Sequence, residues 1–370
     1  MKTILALCAA LAMTLAAIPA RAHWPGQPEH QFAQLGDLKL ESGEVIPNFR
    51  MSYVTHGKLN AARDNAILFQ HGFAANHHLF DHMIGSGRPL DTDKYFIVCP
   101  DALGATQTTF EHTTSPSNSG LAMKFPFYKD RDMVNAQYRL LTEALGITHL
   151  VAVTGVSSGG EDSIQFAVSY PRFMDAIIPV VGGALWSKNG RLRTESVLSM
   201  LDSCKGWDGG HYSENPQHCA THAMQIWAQY FYTPEWWNVY ADTAEAYTRW
   251  RETIGAYYID VQDARDVYYR IRAFYGGWIG DTPGFGDDLG KALGSIRAKT
   301  LFIYNPQDQF SQPSHVEAQL KMIPGARAVA IDSIAGHFIA ANADPQATRA
   351  MEDAIRGFLR DLEAQRTVGK

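Results

Sequence analysis

Several features are scarce in this chain of 370 residues. After its opening stretch it has no uninterrupted apolar run long enough to cross a bilayer, so no later membrane span is expected. It has no acidic or basic block. The formal net charge of -6 is spread along the sequence, which argues against nucleic acid as the main partner. Clear internal repeats and low-complexity segments are missing too. There is no H-E-x-x-H motif, and no metal or cofactor is expected. Cysteines number only four, and Cys8 falls in the opening stretch.

What is present starts with an address. Met1-Lys2 gives a positive start and Ile4 to Ile18 an apolar run. Ala20-Arg21-Ala22 then supplies the small-x-small pattern of a cleavage site. The run is too short for a span, so residues 1–22 are expected to be a secretory signal, with the mature chain starting near His23. A periplasmic or secreted protein follows as an expectation. In such a compartment Cys204 and Cys219, which flank a Gly/Asn/Pro-rich loop, can form a disulfide, although sequence does not fix their separation. Cys99 ends the run Tyr95-Phe96-Ile97-Val98 and reads as a buried thiol.

The hydrophobic content of 46% with 19% charged residues suits a globular enzyme with one large core and an insertion. Phe32 to Leu40 and Phe49 to Thr55 predict an antiparallel pair around Glu41-Ser42-Gly43. Short continuous apolar runs predict strands covered on both faces. They are Ala66–Phe69, Tyr95–Val98, Leu150–Val153, Ala176–Val181, Thr300–Tyr304 and Ala328–Ile331. Helical spacing covers Asp132 to Leu145, capped by Gly146, then Ser158 to Tyr170 and about Pro345 to Leu362. Strands alternating with helices give an α/β fold with a mostly parallel sheet. Trp186 to Trp278 breaks the alternation. It has no convincing buried strand yet holds seven of the eight tryptophans, so 186–295 is expected to be an inserted helical lid. Residues 23–185 and 296–370 form the core in this reading. Most of the lid aromatics are expected in its own core and a minority in a pocket.

Gly155-Val156-Ser157-Ser158-Gly159 matches G-x-S-x-G between a buried strand and a helix, the setting a nucleophile elbow requires. Ser157 is the expected nucleophile. A frame centred on Ser158 would put Val156 where the preceding glycine belongs. A serine hydroxyl needs a base to take its proton. His337, after the last strand and behind Gly336, is that base; Asp308, after the penultimate strand, is its orienting acid. Asp332 is the rival acid but sits too close to His337 in sequence. The order Ser…Asp…His is that of α/β-hydrolases. Backbone amides of Ser158 and of Phe73, in the loop Gln70-His71-Gly72-Phe73-Ala74, are the expected oxyanion donors. His78 and His82 have i, i+4 spacing, with His77 and His71 nearby. A metal enzyme would want a third ligand of defined position, so these histidines read as residues near the pocket mouth.

With these residues placed, the chain resembles the homoserine O-acetyltransferase family of α/β-hydrolases. The likeness rests on Leu59-Asn60-Ala61-Ala62-Arg63-Asp64-Asn65-Ala66, on Pro89-Leu90-Asp91-Thr92-Asp93-Lys94-Tyr95-Phe96, on Asp132-Met133-Val134 with Gln137, and on Asp308 and Gly336-His337. It covers most of Leu38 to Gly182 and Leu301 to Ala340. The resemblance implies an acyl-enzyme on Ser157 under a helical lid. It also marks departures. After the catalytic histidine the family usually has an aspartate that holds the substrate amino group; here it is Phe338. Where a lid arginine usually meets the substrate carboxylate, an approximate alignment puts Leu198, with Arg191 and Arg193 nearby. Glu161-Asp162 replace the family's residues after the elbow.

Phe338 and Leu198 are therefore the expected substrate contacts, and losing both charge partners argues against an amino-acid acceptor. The family takes its acyl group from acyl-CoA, which an exported enzyme would not meet. A small-molecule carboxylic ester with an apolar portion is the expected substrate and water the second one. An O-acyltransferase with an extracytoplasmic donor is the alternative. The sequence sets no oligomeric state and leaves a homodimer open.

Overall fold

The computed structural model describes residues 27–104 and 112–368. The segment read as a secretory signal lies outside the described residues. Eight strands form one sheet: β1 (Gln31–Lys39), β2 (Val45–His56), β3 (Ala66–Gln70), β4 (Phe96–Pro100), β5 (Leu150–Val156), β6 (Met174–Val180), β7 (Lys299–Tyr304) and β8 (Arg327–Ala330). Their order is β1-β2-β4-β3-β5-β6-β7-β8. The β1–β2 and β2–β4 pairs are antiparallel and all others parallel.

Period two explains the apolar runs. In β3, Ile67 and Phe69 enter one hydrophobic cluster while Ala66 and Leu68 enter the other. Helices α1 (Asp130–Arg139) and α2 (Ser158–Ser169) cover one face through Met133, Val134, Ile164 and Phe166. The α-helical part of the first ends earlier than its apolar spacing suggests. A wider π-type turn, Leu140–Ala144, continues it to Gly146. It also starts earlier, because the Asp132 carboxylate accepts from the Lys129 and Glu41 amides and fixes the first turn.

Between β6 and β7 the chain is helical, with no strand among the described residues: α3 (Gly190–Ser203), α4 (Gln217–Ala228), α5 (Pro234–Tyr240), α6 (Ala244–Trp250), α7 (Ala264–Gly276) and α8 (Leu289–Gly294). Side-chain caps set the starts. Thr233 accepts from Trp236 N, Thr243 from Ala246 N, and Asp263 from the Arg265 and Asp266 amides. Cys204 and Cys219 are joined in a disulfide that ties the end of α3 to α4. After β7 come α9 (Pro313–Met322) and α10 (Pro345–Val368), the latter packing Met351, Ile355 and Phe358 against the first cluster. No helix among the described residues is long and apolar enough to cross a membrane.

Candidate active site

Ser157 sits at the turn from β5 into α2 with φ 59° and ψ -120°. A non-glycine residue held there stores about 1–3 kcal/mol, and the surroundings must enforce it. Close backbone passage does so. A Cβ on Gly155 would lie 2.1 Å from the Gly159 carbonyl oxygen, and one on Gly159 2.2 Å from that of Gln70. Neither position tolerates a side chain, which is why the motif needs glycine at both ends.

The other two residues converge from the ends of later strands. His337 Nε2 is 2.8 Å from Ser157 Oγ, and His337 Nδ1 is 2.8 Å from Asp308 Oδ2. The second oxygen of Asp308 accepts from Phe310 N at 2.7 Å. Asp308 is fully enclosed and His337 is 7% exposed. The Asn305 amide donates to the Ser333 and Gly336 carbonyls, tying the acid loop to the base loop. Asp332 takes no part; its carboxylate accepts from Gln307.

The loop after β3 lies against Ser157. A Cβ on Gly72 would stand 3.2 Å from Ser157 Cβ. Phe73 follows it, and the Ser158 amide opens α2. His71 is structural: burial lowers its pKa to about 4, Nδ1 lies 2.8 Å from the Gly72 carbonyl oxygen, and Nε2 accepts from Ala102 N.

A small apolar pocket opens beside Ser157 and His337. Its walls include Phe73, Leu79, Trp227, Phe231, Tyr258 and Phe338. Of the two residues expected to touch substrate, Phe338 is in this wall, stacked on Phe231 at 4.3 Å between ring centres. Leu198 is not. It lies half-buried on α3, packed against the core, while Arg193 on the same helix is buried. The Arg193 guanidinium lies over the rings of Phe310 at 4.1 Å, Tyr230 at 4.4 Å and Trp227 at 4.8 Å. Arg191 is exposed and pairs with Glu195. Trp227 bridges the mouth. Its ring lies 4.9 Å from Phe73 and 5.5 Å from Phe310, which lies 4.5 Å from the His337 ring.

Sequence reasoning missed a second layer behind the elbow. Asp130, Glu161 and Asp162 are buried together with Arg270, whose Nη2 lies 3.5 Å from Ser158 Oγ. Burial, and then the charge of Asp130, pushes the Glu161 and Asp162 carboxyls well above the ordinary carboxylate range. Burial raises Asp130 as well. The adjacent pair Glu161-Asp162 in an otherwise uncharged helix was the available signal; Asp130 and Arg270 are remote in sequence and gave none.

Comparison with known proteins finds esterases and acetyltransferases over much of the chain. An ethyl acetate hydrolase of Pseudomonas veronii is 28% identical over 342 residues, covering 90% of this chain and 95% of its own. A homoserine O-acetyltransferase of Carboxydothermus hydrogenoformans is 35% identical over 195 residues, 48% of this chain and 50% of its own. Among solved structures, the acetyl esterase MekB superposes with a TM-score of 0.82 at 27% identity, over 90% of this chain and 97% of its own. The alpha/beta hydrolase fold family model matches residues 65–343. Sheet order, elbow and family match together show that this chain belongs to the α/β-hydrolase fold family.

Proposed function

We propose that this protein hydrolyses short-acyl carboxylic esters through an acyl-enzyme on Ser157. The observation that carries the reading is the hydrogen-bonded line Asp308–His337–Ser157, with 2.8 Å at each link, opening onto a small apolar pocket.

The chemistry follows from the atoms. His337 Nε2 takes the Ser157 proton as Oγ attacks the ester carbonyl carbon. Asp308 holds the Nδ1–H and stabilises the imidazolium. The Ser158 and Phe73 amides receive the oxyanion, and each such donor contributes about 3–4 kcal/mol in the transition state. His337 returns the proton to the leaving alcohol oxygen as the C–O bond breaks. It then deprotonates a water that attacks the acyl carbon, and Ser157 leaves with that proton. No cofactor is needed.

Short acyl groups are favoured by the cramped space between Phe231, Tyr258 and Phe338. Two relatives of nearly full coverage are named for ethyl acetate and acetyl esters, which supports the same class. Hydrolysis rather than transfer is supported by Phe338, an apolar wall where the transferase pattern has a carboxylate for the acceptor. Export is part of the proposal. It rests on the signal-like start and on the Cys204–Cys219 disulfide, a bond that persists in oxidising compartments. The test is to incubate purified protein with an activated acetate ester and a series of added alcohols. Free acetate as the main product is expected. New ester as the main product would overturn hydrolysis in favour of acyl transfer.

A further inference from the structure

Away from Ser157, three histidines converge. His30, just ahead of β1, and His77 and His78, in the loop after β3, each bring one ring nitrogen within 4.8 Å of the other two. His77 and His78 are buried and His30 is partly so. A carboxylate stands behind two of the rings. Asp101 Oδ1 is 2.7 Å from His77 Nδ1, and Asp81 Oδ2 is 2.9 Å from His78 Nδ1. A carboxylate that accepts Nδ1–H leaves Nε2 as the nitrogen with a lone pair to offer. His77 Nε2 already faces His30 Nε2 at 2.7 Å.

The loop holding the pair is fixed. The Asn76 side-chain oxygen accepts from the His78 amide and from the Tyr257 hydroxyl, and Gln27 donates to the same Asp81 oxygen that meets His78. Metal-binding histidines characteristically give their second N–H to a carboxylate, and the orientation this imposes is what a metal site requires. The charges match as well. Asp81 and Asp101 carry two negative charges beside imidazoles that are uncharged when they bind metal, and a dication balances them.

We propose that His30, His77 and His78 form a binding site for a divalent transition metal of the zinc class, with a fourth position for water. Three imidazoles suit zinc better than calcium or magnesium, which take oxygen ligands. Bonds of about 2.0–2.1 Å in a tetrahedron set the nitrogens about 3.3 Å apart, so the His30–His77 pair has to open by roughly half an ångström and the His78 nitrogen, within 4.8 Å of both, has to settle to the same spacing. His30 lies outside the sheet, where such a shift is easy. The sequence offered His78 and His82 as a pair with no third ligand. His82 is not in the converging group, and the third position is filled by His30, 47 residues before His77. The bound ion would pin the N-terminal segment to the loop that carries Phe73 and Leu79, so its role is to brace the pocket wall.

The full-length mature protein, freed of metal with a chelator and then dialysed, is titrated with ZnCl2 by calorimetry and with CoCl2 by visible absorption. One zinc per chain and a four-coordinate cobalt spectrum are expected. His30→Ala and His30→Gln should each weaken zinc binding at least about tenfold and abolish the cobalt bands, and Asp81→Asn should weaken binding about 10–100-fold. His218→Ala removes a histidine that lies beside the disulfide sulfurs and should leave the stoichiometry at one. Substoichiometric binding by the wild type, or zinc held equally well after both His30 substitutions, would overturn the site.

Discussion

Two buried aspartate–histidine pairs in this molecule have nearly equal spacing and face different third groups. Asp308 meets His337 Nδ1 at 2.8 Å and Asp101 meets His77 Nδ1 at 2.7 Å. Beyond His337 lies the Ser157 hydroxyl at 2.8 Å; beyond His77 lies the His30 imidazole at 2.7 Å. In both, the carboxylate lies against Nδ1 and leaves Nε2 to face the third group. What that nitrogen can do depends on its partner. A hydroxyl yields a proton and becomes a nucleophile. An imidazole offers a lone pair of its own, and two facing lone pairs suit a shared proton or a metal ion. The aspartate–histidine pair alone therefore does not mark a catalytic site; the third atom does.

The largest test of this contrast is catalytic. Ser157→Ala should lower kcat on an activated acetate ester by at least about 10⁴-fold, and Asp308→Asn by about 10⁴-fold. Asp101→Asn, in the matching place of the other pair, should cost less than about tenfold because no ester atom meets it. Equal losses in the two aspartate variants, measured in steady-state assays, would erase the distinction.

The roof over the first pair gives the next effect. The disulfide closes a loop with a sequence separation of 15 and ties α3 to the helix that carries Trp227. Removing it with Cys204→Ser plus Cys219→Ser should lower the unfolding free energy by about 3 kcal/mol in a denaturant titration. A change within error would mean the cap is held by packing alone.

Specificity comes third. Phe338→Ala should raise kcat/KM for a butyrate ester relative to acetate by about tenfold, as the pocket gains room for extra methylenes. An unchanged ratio would move the acyl group to another wall.

The smallest effect is on the pH dependence of stability. Burial raises the folded-state pKa of Asp130, Glu161 and Asp162, so folding favours their protonated forms. Their contribution is fully present below the ordinary carboxylate range and is lost as pH rises through the raised values. Asp162→Asn removes one of these titrations. Its melting temperature should gain on that of the wild type as pH is raised from about 4 to about 8. Parallel melting curves would show that Asp162 does not titrate on folding.

The parts legible in the sequence were local in chain order. Buried strands read as short apolar runs because each is covered on both faces. Ser157, Asp308 and His337 read through because each follows a strand that could be recognised first. The aromatic insertion read as helical, and Trp227, Phe231 and Tyr258 are the minority that reach the pocket. What stayed hidden depends on packing between distant segments. Arg270 meets Asp130 across 140 positions and His30 meets His77 across 47. Leu198 lies outside the pocket wall and Arg193 is buried on the same helix, an outcome of packing that sequence does not show.

Trp227 gives the site a mechanical property that the three polar residues lack. One indole spans the gap between the ring that leads the donor loop, Phe73, and the ring that backs the base, Phe310. It works as a keystone: the loop that carries Phe73 and the loop that carries Phe310 are joined by a residue that carries no charge and moves no proton. A substitution at Trp227 is therefore expected to disturb both loops at once.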